Sequence, residues 1–202
     1  MKKLAPDFYN GTDVVMIARQ LLGKILVTQI NGSYCSGRIV ETEAYVAFTD
    51  RASHSYAGRR TARNEHMYAA GGTAYVYICY GMHHLFNVVT NKQDVPDAVL
   101  IRALHPLDGI DTMLLRTGKK QLDNSITRGP GNLSRAMGIS KIHSGVKLEG
   151  DFIYLAADDF AIPANAIAAS KRIGIDGAGN DSLLPYRFYL RNNPYVSARP
   201  VN

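Results

Sequence analysis

The chain has 202 residues, 46% hydrophobic and 20% charged, with 23 Lys and Arg against 17 Asp and Glu for a net charge of +6. That length suits one domain able to bury a sizeable core, and the composition excludes wholesale disorder, collagen-like repeats and a membrane-spanning run. The positive balance suits an anionic partner, nucleic acid first, although many small proteins are mildly basic.

Met1-Lys2-Lys3 is basic, but no apolar stretch follows it, so no signal peptide is expected. Thr12-Asp13 can cap a helix whose apolar set is Val14, Ile17, Ala18, Leu21 and Leu22, ended by Gly23. Ile25 to Ile30 reads as a strand, Asn31-Gly32 as a hairpin turn and Tyr34 to Tyr45 as the return strand. Val46 to Ala62 is a long polar loop, and Arg63 to Ala70 reads as a short helix stopped by Gly71-Gly72. Thr73 to Tyr80 and His83 to Thr90 are strands about a Gly81-Met82 turn, and Ala98 to Leu104 is another strand. Asp108 to Arg116 and Gly131 to Met137 read as helices. Phe152 to Ala156, Arg172 to Ile175 and Tyr186 to Arg191 read as late strands. Strands flanked by helices without βαβ alternation predict an α+β fold: one compact domain, residues 1–202, with a curved, mostly antiparallel β-sheet surrounded by helices.

Basic residues gather in two stretches. Arg51 to Gly81 holds four Arg and one acid, and Arg116 to Lys147 holds seven Lys or Arg and one acid. Both mix them with Gly, Asn, Ser and Thr, as phosphate-contacting loops do. Cys35 and Cys79 have no short-range partner, which argues against a disulfide framework or a Cys-type zinc site and for a reducing cytoplasm. The six histidines show no metal-ligand spacing, so no metal or other cofactor is expected.

In Arg38-Ile39-Val40-Glu41-Thr42-Glu43-Ala44-Tyr45, strand alternation puts Glu41, Glu43 and Tyr45 on one face. Two carboxylates roughly 6.5–7 Å apart cannot both ionise freely unless water or a cation intervenes. They form a solvated acidic edge, a carboxylate held by a core arginine, or a site where one Glu is a general base or stabilises an oxocarbenium ion. In Tyr75-Val76-Tyr77-Ile78-Cys79-Tyr80-Gly81-Met82, Tyr75 and Tyr77 share a face, which plain packing explains. Packing explains Tyr80 at a turn tip less well; side chains inserted from such tips unstack base steps, and aromatic walls stack on flipped bases. Arg102, within Val99-Leu100-Ile101-Arg102-Ala103-Leu104, must be paired, either in a structural ion pair or with a catalytic carboxylate. His54 caps its loop or donates to a base edge, and Arg128-Gly129-Pro130-Gly131-Asn132-Leu133-Ser134-Arg135 is a loop-to-helix junction with a weak phosphate-binding signal.

Together and in this order these segments resemble the alkyladenine (3-methyladenine, methylpurine) DNA glycosylase family. The matching residues are Arg38 to Tyr45, His54-Ser55, Thr61-Ala62-Arg63-Asn64, Tyr75 to Met82, Asn87, Leu100 to Leu104, Gly129-Pro130 with Leu133, Arg172-Ile173-Gly174 and Arg187-Phe188-Tyr189, which span nearly the whole chain. The resemblance implies a monomeric, metal-free, cytoplasmic enzyme, nucleoid-associated in a bacterium, that acts on double-stranded DNA containing damaged purines. It implies that Glu43 activates a water, with Arg102 and the Ile173 backbone helping to hold it. It makes Tyr45, His54, Tyr77 and Leu100 walls of the flipped-base pocket, and Asn87 the side chain that crowds out guanine. It makes Tyr80 the wedge in the duplex beside Met82. Arg59, Arg63, Asn132 and Arg135 are the candidates for backbone contacts. With no lysine nucleophile in view, base excision without strand cleavage is expected.

The chain departs from the family pattern at His83-His84-Leu85 and between Val46 and Ser53. It begins almost at the first family element, so no N-terminal extension for partners is expected. Two other readings stay open: a non-catalytic binder of damaged DNA on the same scaffold, and a carbohydrate glycosidase using Glu41 and Glu43. The absence of tryptophan speaks mildly against the second.

Overall fold

A computed structural model describes residues 1–197; residues 198–202 of the expected unit lie outside the described residues. Among the described residues nine strands join in one sheet: β1 (Lys2–Lys3), β2 (Ile25–Ile30), β3 (Ser33–Tyr45), β4 (Ala74–Cys79), β5 (His83–Thr90), β6 (Asp97–Asp108), β7 (Ile153–Ala157), β8 (Ile167–Ser170) and β9 (Arg187–Leu190). The order is β1-β7-β2-β3-β6-β5-β4, with β9 paired to β3 and β8 to β9, and the strand pairs are antiparallel. Three α-helices, α1 (Val14–Gln20), α2 (Ile110–Thr117) and α3 (Pro130–Met137), lie among the described residues. This is the expected α+β class.

Local chemistry sets the first elements. The Asp13 side chain accepts from the Met16 amide at 2.9 Å and caps α1, whose Val14, Ile17 and Ala18 are buried. Asn31 and Gly32 both take positive φ (54° and 72°), the backbone of a type I′ turn, so β2 and β3 form a tight hairpin.

β3 is long enough to have different neighbours along one edge. Its first half pairs with β2, and Glu41, Thr42 and Glu43 pair with Tyr189, Phe188 and Arg187 of β9. Its other edge pairs with β6 from Ser36 to Tyr45. Glu41 and Glu43 therefore sit mid-sheet, flanked on both sides. The β3–β6 register shifts on either side of Glu41, which is opposite Ala103 while Thr42 is opposite Ile101. Arg102 falls in this irregularity and has no residue of its own across the ladder.

Some expected elements are corrected. Arg172 to Ile175 is not a strand: the Arg172 guanidinium is drawn into a buried ion pair, and Gly174 takes a φ of +74° that breaks the extended path. Arg63 to Ala70 holds only a 3₁₀ turn at Glu65–Tyr68. The Asn64 side chain accepts from the Thr61 amide and donates to the carbonyls of His54 and Arg59, which stitches the loop instead of starting a helix. β8, built of Ile-Ala-Ala-Ser, carries too little β propensity to stand out in the sequence. β6 runs on to Asp108, so the next helix starts at Ile110.

Candidate active site

Glu43 is fully enclosed. Its Oε1 accepts from the Ile173 amide at 2.8 Å, and its Oε2 accepts from the Tyr45 hydroxyl at 2.8 Å. Arg102 Nη1 lies 3.3 Å from the same Oε2. The sequence suggested a carboxylate beside solvent with Ile173 holding a water. Here the Ile173 amide bonds the carboxylate directly, and solvent does not touch Glu43. Tyr45, Arg102 and Ile173 all line one cavity of about 330 Å³, so the carboxylate lies immediately behind its wall.

The charges of this cluster are interlocked. Burial alone would lower the Arg102 pKa, but Glu43 and Glu41 outweigh it and raise it. Burial and the neighbouring Glu43 push the Tyr45 phenol well above its ordinary value, so it stays protonated and can donate. Arg172 makes a two-pronged ion pair with Asp50, and its guanidinium also donates to the carbonyls of Ala44 and Asp181. Its guanidinium carbon lies 4.7 Å from the centre of the Tyr45 ring. Through its neighbour Arg172, Ile173 is thus anchored to the loop after β3.

Leu100, Tyr77, Tyr80 and Asn132 also line that cavity, as do Gly129, Pro130 and Gly131 at the start of α3. A second cavity, of about 240 Å³, shares Tyr45, Tyr77, Cys79, Gly174 and Ile175 with the first and adds His54, Arg63, Tyr75, Asn87 and Ala98. His54 and Tyr77 meet edge to face, with centroids 4.6 Å apart. His54 Nδ1 is 2.8 Å from the Tyr75 hydroxyl. Burial, then the charges of Arg63 and Arg59, push the His54 pKa down to about 4, so the ring is neutral at pH 7. The Asn87 amide donates to the carbonyls of Tyr75 and Leu85, which holds its head group in one orientation.

At the β4–β5 tip, Tyr80 has φ 50° and is 88% exposed, and Met82 is 71% exposed. A bulky residue with positive φ is strained by about 1–3 kcal/mol. A further cleft, of about 500 Å³, joins Met82 to His83, His84, Arg116, Asn132 and Arg135. Arg63 lies exposed with Nη2 3.3 Å from the Ile78 carbonyl, on the strand leading to this tip. Asn132 and Arg135 are exposed but tied to the carbonyls of Arg128 and Arg116. Arg59 is exposed and lines none of these three cavities; its carbonyl holds Asn64 and Tyr68.

The structure therefore brings Tyr45, Arg102, Ile173, Leu100, Tyr77, Tyr80 and Asn132 to the wall of one cavity with Glu43 behind it, His54, Asn87 and Arg63 to its neighbour, and Met82 and Arg135 to the further cleft, with Arg59 outside. Sequence reasoning assigned no part to Arg172, Asp50, Arg187 or Ser197. An arginine beside the apolar Ile173 was a signal of the same kind as Arg102, but nothing in the sequence around Asp50 or Ser197 marks them. Among the described residues no group of three or more His, Cys, Asp or Glu is placed to hold a metal ion, and no helix is long and apolar enough to cross a membrane.

The sequence model of the family described as methylpurine-DNA glycosylase (MPG) matches residues 7–194. A protein of Desulfitobacterium hafniense (strain Y51) is 46% identical over 98% of this chain and 100% of its own length. One from Clostridium perfringens (strain 13 / Type A) is 43% identical over the same shares, and one from Bacillus cytotoxicus 44% identical over 96% and 99%. All three carry the name "Putative 3-methyladenine DNA glycosylase".

Proposed function

The chain belongs to the methylpurine-DNA glycosylase family, and from that premise we propose that it hydrolyses the N-glycosidic bond of damaged purines flipped out of duplex DNA. The substrate class is 3-methyladenine and 7-methylguanine; a neutral base such as hypoxanthine would need a proton in order to leave. The observation that carries this reading is the convergence of Tyr45, Arg102 and Ile173 on both the Glu43 carboxylate and the wall of one cavity.

Cleavage passes through an oxocarbenium-like sugar, and an anion beside it stabilises that charge. Glu43 supplies the anion and takes the proton of the attacking water. Its Oε1 has a lone pair beyond the bond to the Ile173 amide, Arg102 lies against the other oxygen, and water reaches the carboxylate where the wall of Tyr45, Arg102 and Ile173 yields. A purine alkylated at N3 or N7 is already cationic and needs no added proton to leave.

Extruding the nucleotide costs a few kcal/mol, least at a damaged pair. Tyr80 fills the gap from the duplex side, and its exposure at a strained turn supports that role. The faces of Tyr45 and Tyr77, with neutral His54, receive the base against Leu100, and Asn87 crowds the exocyclic amine of guanine, a penalty that 7-methylguanine offsets because its cationic base is the better leaving group. Arg59, Arg63, Asn132, Arg135 and Met82 contact the DNA around it. The enzyme acts as a monomer, on DNA in the cytoplasm or nucleoid.

The test is a duplex carrying one 7-methylguanine, incubated with the protein in EDTA. Free 7-methylguanine and a strand that breaks only on alkali treatment are expected. Tight binding with an intact glycosidic bond would make the protein a damage binder instead.

A further inference from the structure

Glu41 has no part in that reading, yet it is the more heavily bonded of the two carboxylates. It is fully enclosed mid-sheet. Its Oε1 accepts from Arg102 Nε at 3.0 Å, Arg187 Nε at 2.7 Å and Ser197 Oγ at 2.7 Å, and its Oε2 from the Ser197 amide at 2.6 Å. Burial would raise its pKa, but Arg102, Arg187 and the Ser197 hydrogen bonds outweigh that and hold it below the ordinary carboxylate value. Arg102 thus reaches Glu41 through Nε, Glu43 through Nη1 and Ser197 Oγ through Nη2, the last at 3.2 Å. Its shorter contact is to Glu41, not to Glu43.

We propose that Glu41 is a positioning residue: it fixes the Arg102 guanidinium between the two carboxylates and takes up part of its charge, which leaves Glu43 able to accept the proton of the attacking water. This rests on the reading of Glu43 as the water-activating group. The groups facing Glu43 are Tyr45 and Glu41 from β3, Arg102 from β6, Arg187 from β9, Tyr77 from β4, and Arg172 with the Ile173 amide. Removing the Glu41 charge takes away the second carboxylate that Arg102 shares with Glu43. An unshared cation beside a carboxylate makes it a weaker base. The two tyrosines titrate far above neutrality, and His54, near 4, lies behind Tyr77 in wild type and variants alike. A shift of the acid limb between wild type and the Glu41 variants therefore reports on the cluster that Glu41 alters, and not on His54 or the tyrosines.

The experiment measures single-turnover excision of 7-methylguanine against pH for wild type, Glu41→Gln, Glu41→Asp and Glu43→Gln, with lesion-duplex affinity alongside. Glu41→Gln is expected to bind like wild type, to excise about tenfold more slowly near neutrality, and to show an acid limb about one unit lower. Glu41→Asp keeps the charge and holds the limb at its wild-type position. A Glu41→Gln limb that stays put or moves up overturns the proposal, whatever the rate. If that variant does not fold, Ser197→Ala takes its place, since Ser197 is only half-buried. It removes one bond to each of Glu41 and Arg102, and several-fold slower excision at unchanged affinity is expected. Wild-type turnover in Ser197→Ala overturns the proposal. Glu43→Gln that still excises would overturn the functional reading itself, a result distinct from an unmoved limb in Glu41→Gln.

Discussion

Two hairpins in this sheet start their turns with the same backbone but different residues, the first in a two-residue loop and the second in a three-residue loop. At the β2–β3 tip Asn31 and Gly32 have φ 54° and 72°; at the β4–β5 tip Tyr80 and Gly81 have φ 50° and 72°. Asn tolerates left-handed backbone because its short side chain can bond locally, so the first tip holds the residue that turn chemistry selects. Tyr carries the steric penalty without that compensation, and its ring is almost wholly exposed. Stability accounts for the first tip and not for the second. A residue that costs stability where it sits and buries nothing there fits the proposed contact with DNA better than a structural role.

Replacing Tyr80 should separate the two terms. In Tyr80→Asn, affinity for a lesion duplex falls about tenfold to a hundredfold, the worth of one aromatic stack on bases, measured by fluorescence anisotropy. Denaturant midpoints of the same variant report a gain of about 1 kcal/mol, and Asn31→Tyr at the other tip loses a similar amount. Equal stability for Tyr80→Asn and wild type would break the comparison.

The pocket behind the strained tip gives a pH signature. His54 titrates at about 4 in the fold against about 6.5 free, so between these values the unfolded chain binds more protons and stability falls as pH drops. Urea midpoints should fall from pH 6.5 to pH 4, and His54→Asn should flatten that slope. The smallest effect concerns charge near the tip. Arg63→Gln should lower the slope of log affinity against log salt by about one, which binding titrations from low to high salt would detect.

The difference between the tips also marks what the sequence could say. Asn31-Gly32 and the Asp13 cap are local signals, and both elements formed as expected. Alternation put Glu41, Glu43 and Tyr45 on one face, and the structure links Glu41 and Glu43 through Arg102 and Glu43 to Tyr45. Arg102 was legible because a charge in an apolar strand needs a partner. Arg172-Ile173-Gly174-Ile175 misled because its residues read as β, while a pairing with Asp50, 122 residues away in sequence, decides its path. The enclosure of Glu43 depends on Ile173, far along the chain, and so lay beyond any local pattern.

The central claim is that Glu43 does the chemistry behind a wall of Tyr45, Arg102 and Ile173. Glu43→Gln keeps the size of the side chain and one oxygen to accept from the Ile173 amide, but it removes the charge and turns the other acceptor into an NH2 donor. Measured on a duplex with a single 7-methylguanine, the variant should bind the lesion with near wild-type affinity and release free base at least about a thousandfold more slowly. Release at the wild-type rate would contradict the account.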